Sequence, residues 1–233
     1  MTVRTQRHRG VPGVRAYKKR RTRLALIDAA LDLFLEHGYE TTTVDAVAAA
    51  VGVSQRTFFR YFPNKDEVVL TPFGELGAAI TEALRARPAQ EPPLAALHAA
   101  ARTALTAHCG TGGPASVERF AKVQWVLRDN PALAARQLFR AAGVDRALVA
   151  GVLDRRAEDP EAPLRAELTA RVFAAAFRVA LQTWADRPPA TLEGLLSDLD
   201  RTMALVAVRE PSDQGTASAS GAGDPRAITG ESP

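Results

Sequence analysis

One cysteine, Cys109, stands in 233 residues, so no disulfide can form within the chain and a cysteine-based zinc knuckle is excluded. That usage suits a reducing cytoplasm. Long apolar runs are missing too, because the segment after the basic start is interrupted by Asp28, Asp32 and Glu36. Nothing approaches the roughly 18 uninterrupted apolar residues of a membrane span, so the expectation is a soluble, uncleaved chain with no membrane partner. Strand signals are equally scarce. β-branched residues are scattered, and no Asn-Gly or Asp-Gly hairpin turn occurs. Ala-, Leu- and Arg-rich runs dominate instead, and the fold class is read as all-α.

Charge is present in ordinary amount, 24% of residues with a formal net of +4, but it is unevenly placed. Residues 1–23 hold nine bases and no acid, leaving 21 bases against 26 acids in the rest. The chain therefore reads as a cationic arm on a mildly acidic body, the arm being either a solvated terminus or a segment that tracks the DNA backbone or enters the minor groove.

Proline and glycine punctuate about nine helices, expected near 18–37, 44–51, 55–61, 64–86, 93–108, 115–128, 131–156, 164–186 and 191–208. The first carries Leu24, Ile27, Leu31, Phe34 and Leu35 at spacings of three and four, an amphipathic stripe that needs a partner. His37 and Gly38 end it, a capping role for both. Residues 210–233 contain four Gly, four Ser and three Pro with no aromatic. Such a segment buries too little apolar surface to offset its ordering entropy, so residues 209–233 are read as a disordered tail and residues 1–17 as a disordered basic arm.

Residues 41–62 read TTTVDAVAAAVGVSQRTFFRYF. Thr43 can cap a short helix whose inward face is Val44, Val47, Ala48 and Val51. Gly52 turns the chain where a side chain would clash, and Val53 plugs the corner. Ser54 caps a second short helix, which Phe58 and Phe62 anchor to the same core. This is the logic of a helix-turn-helix. The second helix leaves Gln55, Arg56, Thr57, Arg60 and Tyr61 exposed, with no acid between Ser54 and Pro63. Arg and Gln can read base edges bidentately in a major groove, whereas a carboxylate there would repel phosphates. Asn64 can cap the next helix, and Lys65 with that helix's amides would clamp a phosphate.

The stretch Arg21–Leu70, RTRLALIDAALDLFLEHGYETTTVDAVAAAVGVSQRTFFRYFPNKDEVVL, resembles the DNA-binding domain of the TetR/AcrR family of bacterial transcriptional regulators. It shares the family's order of an apolar first helix, Gly-Tyr, a Thr cluster, Val-Gly-Val-Ser, an aromatic-rich recognition helix and Phe-Pro-x-Lys-x-Glu. The resemblance implies that Thr42 and Thr43 contact the DNA backbone, that Gln55, Arg56, Thr57 and Arg60 face the groove, and that Tyr61 and Lys65 hold phosphates. Phe59 stands where the family commonly has tyrosine, which removes one hydroxyl contact. The Phe58-Phe59 pair is similar to the subgroup of mycofactocin-associated regulators. Pro72 is a second departure and is expected to kink or restart the fourth helix.

Residues 71–208 are read as a helical effector-binding and dimerisation domain following the helix-turn-helix domain of 18–70. They carry no G-x-S-x-G, Gly-rich phosphate loop or HExxH. No enzyme activity, metal or cofactor is expected; His108 and Cys109, adjacent on a helix, point in different directions. Phe120, Trp125, Phe139, Phe173, Phe177 and Trp184 fill a core or line an apolar cavity, with Phe120, Trp125 and Phe177 the candidates for ligand contact. The segment VQWVLRDNPALAARQLFRA resembles acyl-CoA-like ligand-binding regulators, which implies a small hydrophobic or acyl-thioester effector. The eighth helix is apolar over more of its circumference than one core requires, and the resemblance implies that the last two helices pair with their twofold mates, which makes Val172, Val179, Leu192, Leu195, Leu199 and Met203 the candidate dimer contacts. The reading that results is a homodimeric repressor of a near-palindromic operator, released by a small molecule. An activator, or a helical ligand carrier or enzyme with an incidental helix-turn-helix, is the alternative.

Overall fold

A computed structural model describes residues 12–110, 114–154 and 160–207, which form nine helices and no strand. They are α1 Pro12–His37, α2 Val44–Ala50, α3 Gln55–Tyr61, α4 Asp66–Arg85 and α5 Pro93–Gly110, then α6 Pro114–Asp129, α7 Pro131–Leu153, α8 Ala162–Ala185 and α9 Leu192–Ala207. Four of these, α1, α5, α6 and α7, open on proline. The first helical position tolerates it, since its amide has no intrahelical acceptor and proline's φ already suits the helix. Proline thus set boundaries close to those expected along most of the chain.

The start of α1 is a correction. The helix begins at Pro12, so residues 12–17, read as part of a disordered arm, are helical. Residues 12–17, Pro-Gly-Val-Arg-Ala-Tyr, are too short to show an apolar period and run into the bases of 18–23, which hid the helix, although Pro12 was a legible start signal. Residues 1–11 and 208–233, and with them the rest of the arm and the tail, lie outside the described residues. Pro72 neither ends nor restarts α4, which continues through it from Asp66 to Arg85.

Buried side chains form two clusters. The first joins Leu26, Ile27, Leu31 and Phe34 of α1 to Val47, Phe58, Phe62 and Val68, and is completed from α6 and α7 by Val123, Val126, Leu127 and Leu133. The second is built by α4 with α5 to α9, around Leu84, Leu97, Leu105, Phe173, Trp184 and Leu195. Phe73 packs against both. Helix α6 thus serves two cores with its two halves.

Ion pairs follow the same seams. Asp28 and Asp32, one turn apart on α1, are met by Arg119 and Lys122 of α6. Arg23 reaches Glu75 of α4 at 2.7 Å. Arg136 and Arg140, one turn apart on α7, pair with Asp66 and Glu67 in the first turn of α4. Most of these side chains are partly exposed, so each pair adds little stability; their effect is on register between helices.

Candidate functional site

Backbone geometry shapes the helix-turn-helix. Thr43 takes an extended conformation and its hydroxyl accepts the Ala46 N–H at 3.1 Å. Ser54 does the same for the Thr57 N–H at 3.2 Å. Each cap gives a first-turn amide of a seven-residue helix a side-chain acceptor, and the Thr57 N–H also reaches the Ser54 carbonyl at 2.8 Å. Gly52 turns the chain at φ +71°, yet a Cβ there would meet nothing within 4 Å. The expected clash is therefore corrected: what demands glycine is the positive φ.

Val47, Ala48, Phe58 and Phe62 are buried, and Val44, Val51 and Val53 are half-buried against the same core. Phe58 meets Phe62 at 5.6 Å between centroids and Phe59 edge-on at 5.6 Å. With Phe58 turned inward, Gln55, Arg56, Phe59 and Arg60 are exposed on α3 and Thr57 and Tyr61 are half-buried. The Arg60 guanidinium lies over the Tyr61 ring, 5.3 Å from its centroid.

Two assignments change. Thr42 is buried, and its hydroxyl donates toward the Gly38 carbonyl at 2.8 Å and the Leu33 carbonyl at 3.2 Å. It closes the turn after α1 and has no surface for a DNA backbone. Lys65 precedes α4, and its ammonium donates to the carbonyls of Tyr39 at 2.6 Å and Thr42 at 3.1 Å while lying 4.2 Å from the Tyr39 ring centroid. It is a staple between the α1–α2 turn and α4, where a phosphate clamp was expected. Asn64 does cap the helix, accepting the Glu67 N–H at 3.0 Å.

Tyr39, buried beneath Lys65, donates its hydroxyl to the Asp66 carboxylate, which Arg136 of α7 also meets. Burial and then the bond to Asp66 raise the Tyr39 pKa above its ordinary value, so the phenol keeps its proton. Four of the seven acids between residues 24 and 70, namely Asp28, Asp32, Asp66 and Glu67, are thereby matched by cations of α6 and α7. The α3 surface keeps Arg56 and Arg60 with no carboxylate among its own residues.

The second feature is a cavity of about 850 Å³ between α4, α6, α7 and α8. Its volume falls in the range of small-molecule sites. Phe73, Trp125, Phe173 and Phe177 line it, as do Arg128, Arg140 and Arg178. The Phe173 and Phe177 rings stack at 5.7 Å, and the Trp125 indole N–H donates to the Ala185 carbonyl at 2.9 Å. Of the expected ligand contacts, Trp125 and Phe177 face this cavity. Phe120 does not; it lines a smaller cavity between α1, α4, α5 and α6. Phe139, read as core or cavity, is 84% exposed on α7. The arginines were not anticipated, because nothing in local spacing tells a cavity arginine from a solvated one.

The expected dimer contacts divide. Leu195, Leu199 and Met203 are buried in their own chain and cannot meet a second one, and Leu192 packs against that core. Val172 and Val179 are exposed and fall in a stripe with Leu164 and Leu168 along α8. Cys109 is buried, and burial pushes its thiol up to about 11, which leaves it an inert core residue. His108 instead lines the smaller cavity, and desolvation lowers its pKa. No described helix is long and apolar enough to cross a membrane.

Residues 26–71 match the family profile described as bacterial regulatory proteins, tetR family. TcmR of Streptomyces glaucescens, an HTH-type transcriptional regulator, is 40% identical over 187 residues, 79% of this chain and 82% of its own. The fold is similar to that of NalD, the secondary repressor of the MexAB-OprM multidrug efflux pump in Pseudomonas aeruginosa, at a TM-score of 0.59 and 18% identity, covering 85% of this chain and 100% of that one. It is also similar to FadR of Thermus thermophilus, a transcriptional repressor in complex with lauroyl-CoA, at a TM-score of 0.50 and 24% identity, covering 83% of this chain and 99% of that one. With the capped helix pair of residues 44–61 and a match along most of both chains to TcmR, the chain belongs to the TetR family of transcriptional regulators, DNA-binding proteins of the helix-turn-helix class.

Proposed function

We propose that this chain is a homodimeric repressor that holds a near-palindromic operator through α3 and releases it when a small apolar effector enters the cavity between α4, α6, α7 and α8. The observation that carries the reading is the joint presence of an acid-free α3 surface and that cavity, with α4 running from the end of one to the wall of the other. Binding in the cavity bears on the helix that follows the recognition helix. An effector shifts the equilibrium only if it prefers the DNA-incompetent arrangement.

Gln55, Arg56, Thr57 and Arg60 are assigned to base edges, Tyr61 and Thr43 to phosphates, and the exposed Phe59 ring to apolar contact such as a thymine methyl. FadR of Thermus thermophilus, solved with lauroyl-CoA, is the precedent that makes an acyl-CoA-like effector one form of the apolar ligand considered.

With Arg56→Ala, affinity for a DNA site selected from a random pool should fall by about 1–3 kcal/mol, with preference relaxed at one base position. Competition titration against single-base variants of that site reads this out. A uniform loss on all variants would assign Arg56 to phosphate instead.

The α8 stripe supports the dimer. Leu168 is 54% and Val179 50% exposed, and Leu205 of α9 is exposed too, an apolar surface that a second copy would cover under twofold symmetry. The double variant Val172→Glu, Val179→Glu should sediment as a monomer while keeping its helical circular dichroism, and should bind a single half-site weakly. A dimer that survives both charges would move the interface off this stripe.

A further inference from the structure

We infer that the effector is an apolar molecule bearing one anionic group, and that Arg140 both recognises that group and transmits its arrival to the DNA-binding helices. The inference rests on the effector-cavity reading above and adds the ligand's charge and the residue that responds to it.

Arg140 belongs to two structures at once. It lines the large cavity, and its guanidinium donates to the carboxylate of Glu67 in the first turn of α4. Glu67 lies six residues after Tyr61, the last residue of the recognition helix. One turn earlier on α7, Arg136 holds Asp66, the acceptor of the Tyr39 hydroxyl. These two arginines are the ion pairs that tie α7 to the start of α4 among the described residues.

The charges lining the cavity are unequal. Arg128, Arg140 and Arg178 face one carboxylate, Asp186. Arg128 reaches Asp186 at 3.1 Å, so that pair is matched within the wall. Arg178 makes no ion pair within 4 Å among the described residues, though it interacts at longer range with the Asp145 carboxylate outside the lining, and the partner of Arg140 also comes from outside the lining. An incoming carboxylate, sulfate or phosphate can therefore take Arg140 from Glu67, like for like, with a charge-assisted bidentate contact. A neutral ligand cannot make that exchange. It would leave the Glu67 carboxylate, whose side chain is mostly buried, without its counter-charge.

The exchange has a direct mechanical consequence. Once Arg140 turns to the ligand, Asp66–Arg136 is the ion pair left between α7 and the first turn of α4 among the described residues, and a shift of α4, with α3 before it, is eased. The anion is the differential contact that lets a ligand favour one arrangement over the other.

Dodecanoate and dodecan-1-ol, matched in chain length and different in charge, test this on the full chain, with binding followed by tryptophan fluorescence since Trp125 lines the cavity. Dodecanoate should bind about tenfold or more tightly than the alcohol, the difference of one exchanged charge pair. Arg140→Gln should abolish that preference by weakening dodecanoate alone. Glu67→Gln should strengthen dodecanoate by removing its competitor and should lower the concentration that releases a selected DNA site. Opposite shifts in the two variants mark competition, whereas a purely structural pair would move both the same way and overturn the inference. Equal binding of the two probes to the unmodified chain would also overturn it while leaving the apolar cavity in place. Failure of both probes to bind would remove the apolar-effector reading itself and the inference with it.

Discussion

Phe58→Ala is expected to lower stability by about 3–5 kcal/mol and to abolish DNA binding. Phe58 is fully buried, one of the largest such side chains, and packs against Phe62 and Phe59. Helix α3 has only seven residues, too few to hold itself in water, so its position depends on tertiary contacts. Truncating Phe58 removes the ring that seats it on α1 and leaves a cavity that short, capped helices cannot collapse around without shifting the exposed face. Arg56 and Arg60 would still be present but no longer held in register with a groove. Urea unfolding followed by circular dichroism gives the stability, and titration of a selected DNA site gives the binding. Phe58→Leu, which keeps most of the volume, should lose clearly less of both. A loss under about 1 kcal/mol in Phe58→Ala would mean that α3 is seated by its caps and not by this ring.

The residues of α3 were legible because local chemistry decides them. Ser54 is an N-cap by type, Phe58 and Phe62 repeat at helical spacing, and Pro63 follows the helix end, so Gln55–Tyr61 was expected as it stands. Lys65 was misread for the opposite reason. Its acceptors, the Tyr39 and Thr42 carbonyls, lie 26 and 23 residues away in sequence, and only the fold brings them within reach. The α9 leucines show the same limit: spacing reveals an apolar face but not whether a helix of the same chain or of another covers it. Leu195 and Leu199 turn to α5 and α8, while the exposed α8 stripe is left for a partner. The α1 acids are a subtler case. Asp28 and Asp32 mark a polar, half-exposed face correctly, yet on that face both carboxylates meet cations of α6.

The contact between α1 and α6 sets the outcome of a second substitution. Trp184→Ala should cost about 3–5 kcal/mol, and the DNA-binding helices should unfold together with the effector domain in one transition. Trp184 is buried where α8 turns into α9; its indole N–H donates to the Thr191 carbonyl at 2.9 Å, and its ring lies 6.3 Å from that of Phe120 on α6. Removing it leaves a large void in the second core and takes one of the two donors from the Thr191 carbonyl, which keeps the Leu195 N–H at 3.1 Å. The damage reaches α6 through Phe120 and Ala121, which belong to that core, whereas Val123, Val126 and Leu127 of the same helix complete the core around α1 and Phe58. A helix that loosens on one side cannot keep its packing on the other. Trp184→Phe, which keeps an aromatic ring but loses the hydrogen bond, should cost about 1 kcal/mol beyond its change in volume. Denaturant titration followed in parallel by far-ultraviolet circular dichroism and by a dye attached at residue 45 of α2 should give coincident curves for Trp184→Ala. Separate curves, with α2 persisting to higher denaturant, would show that the two cores are held independently and that α6 does not couple them.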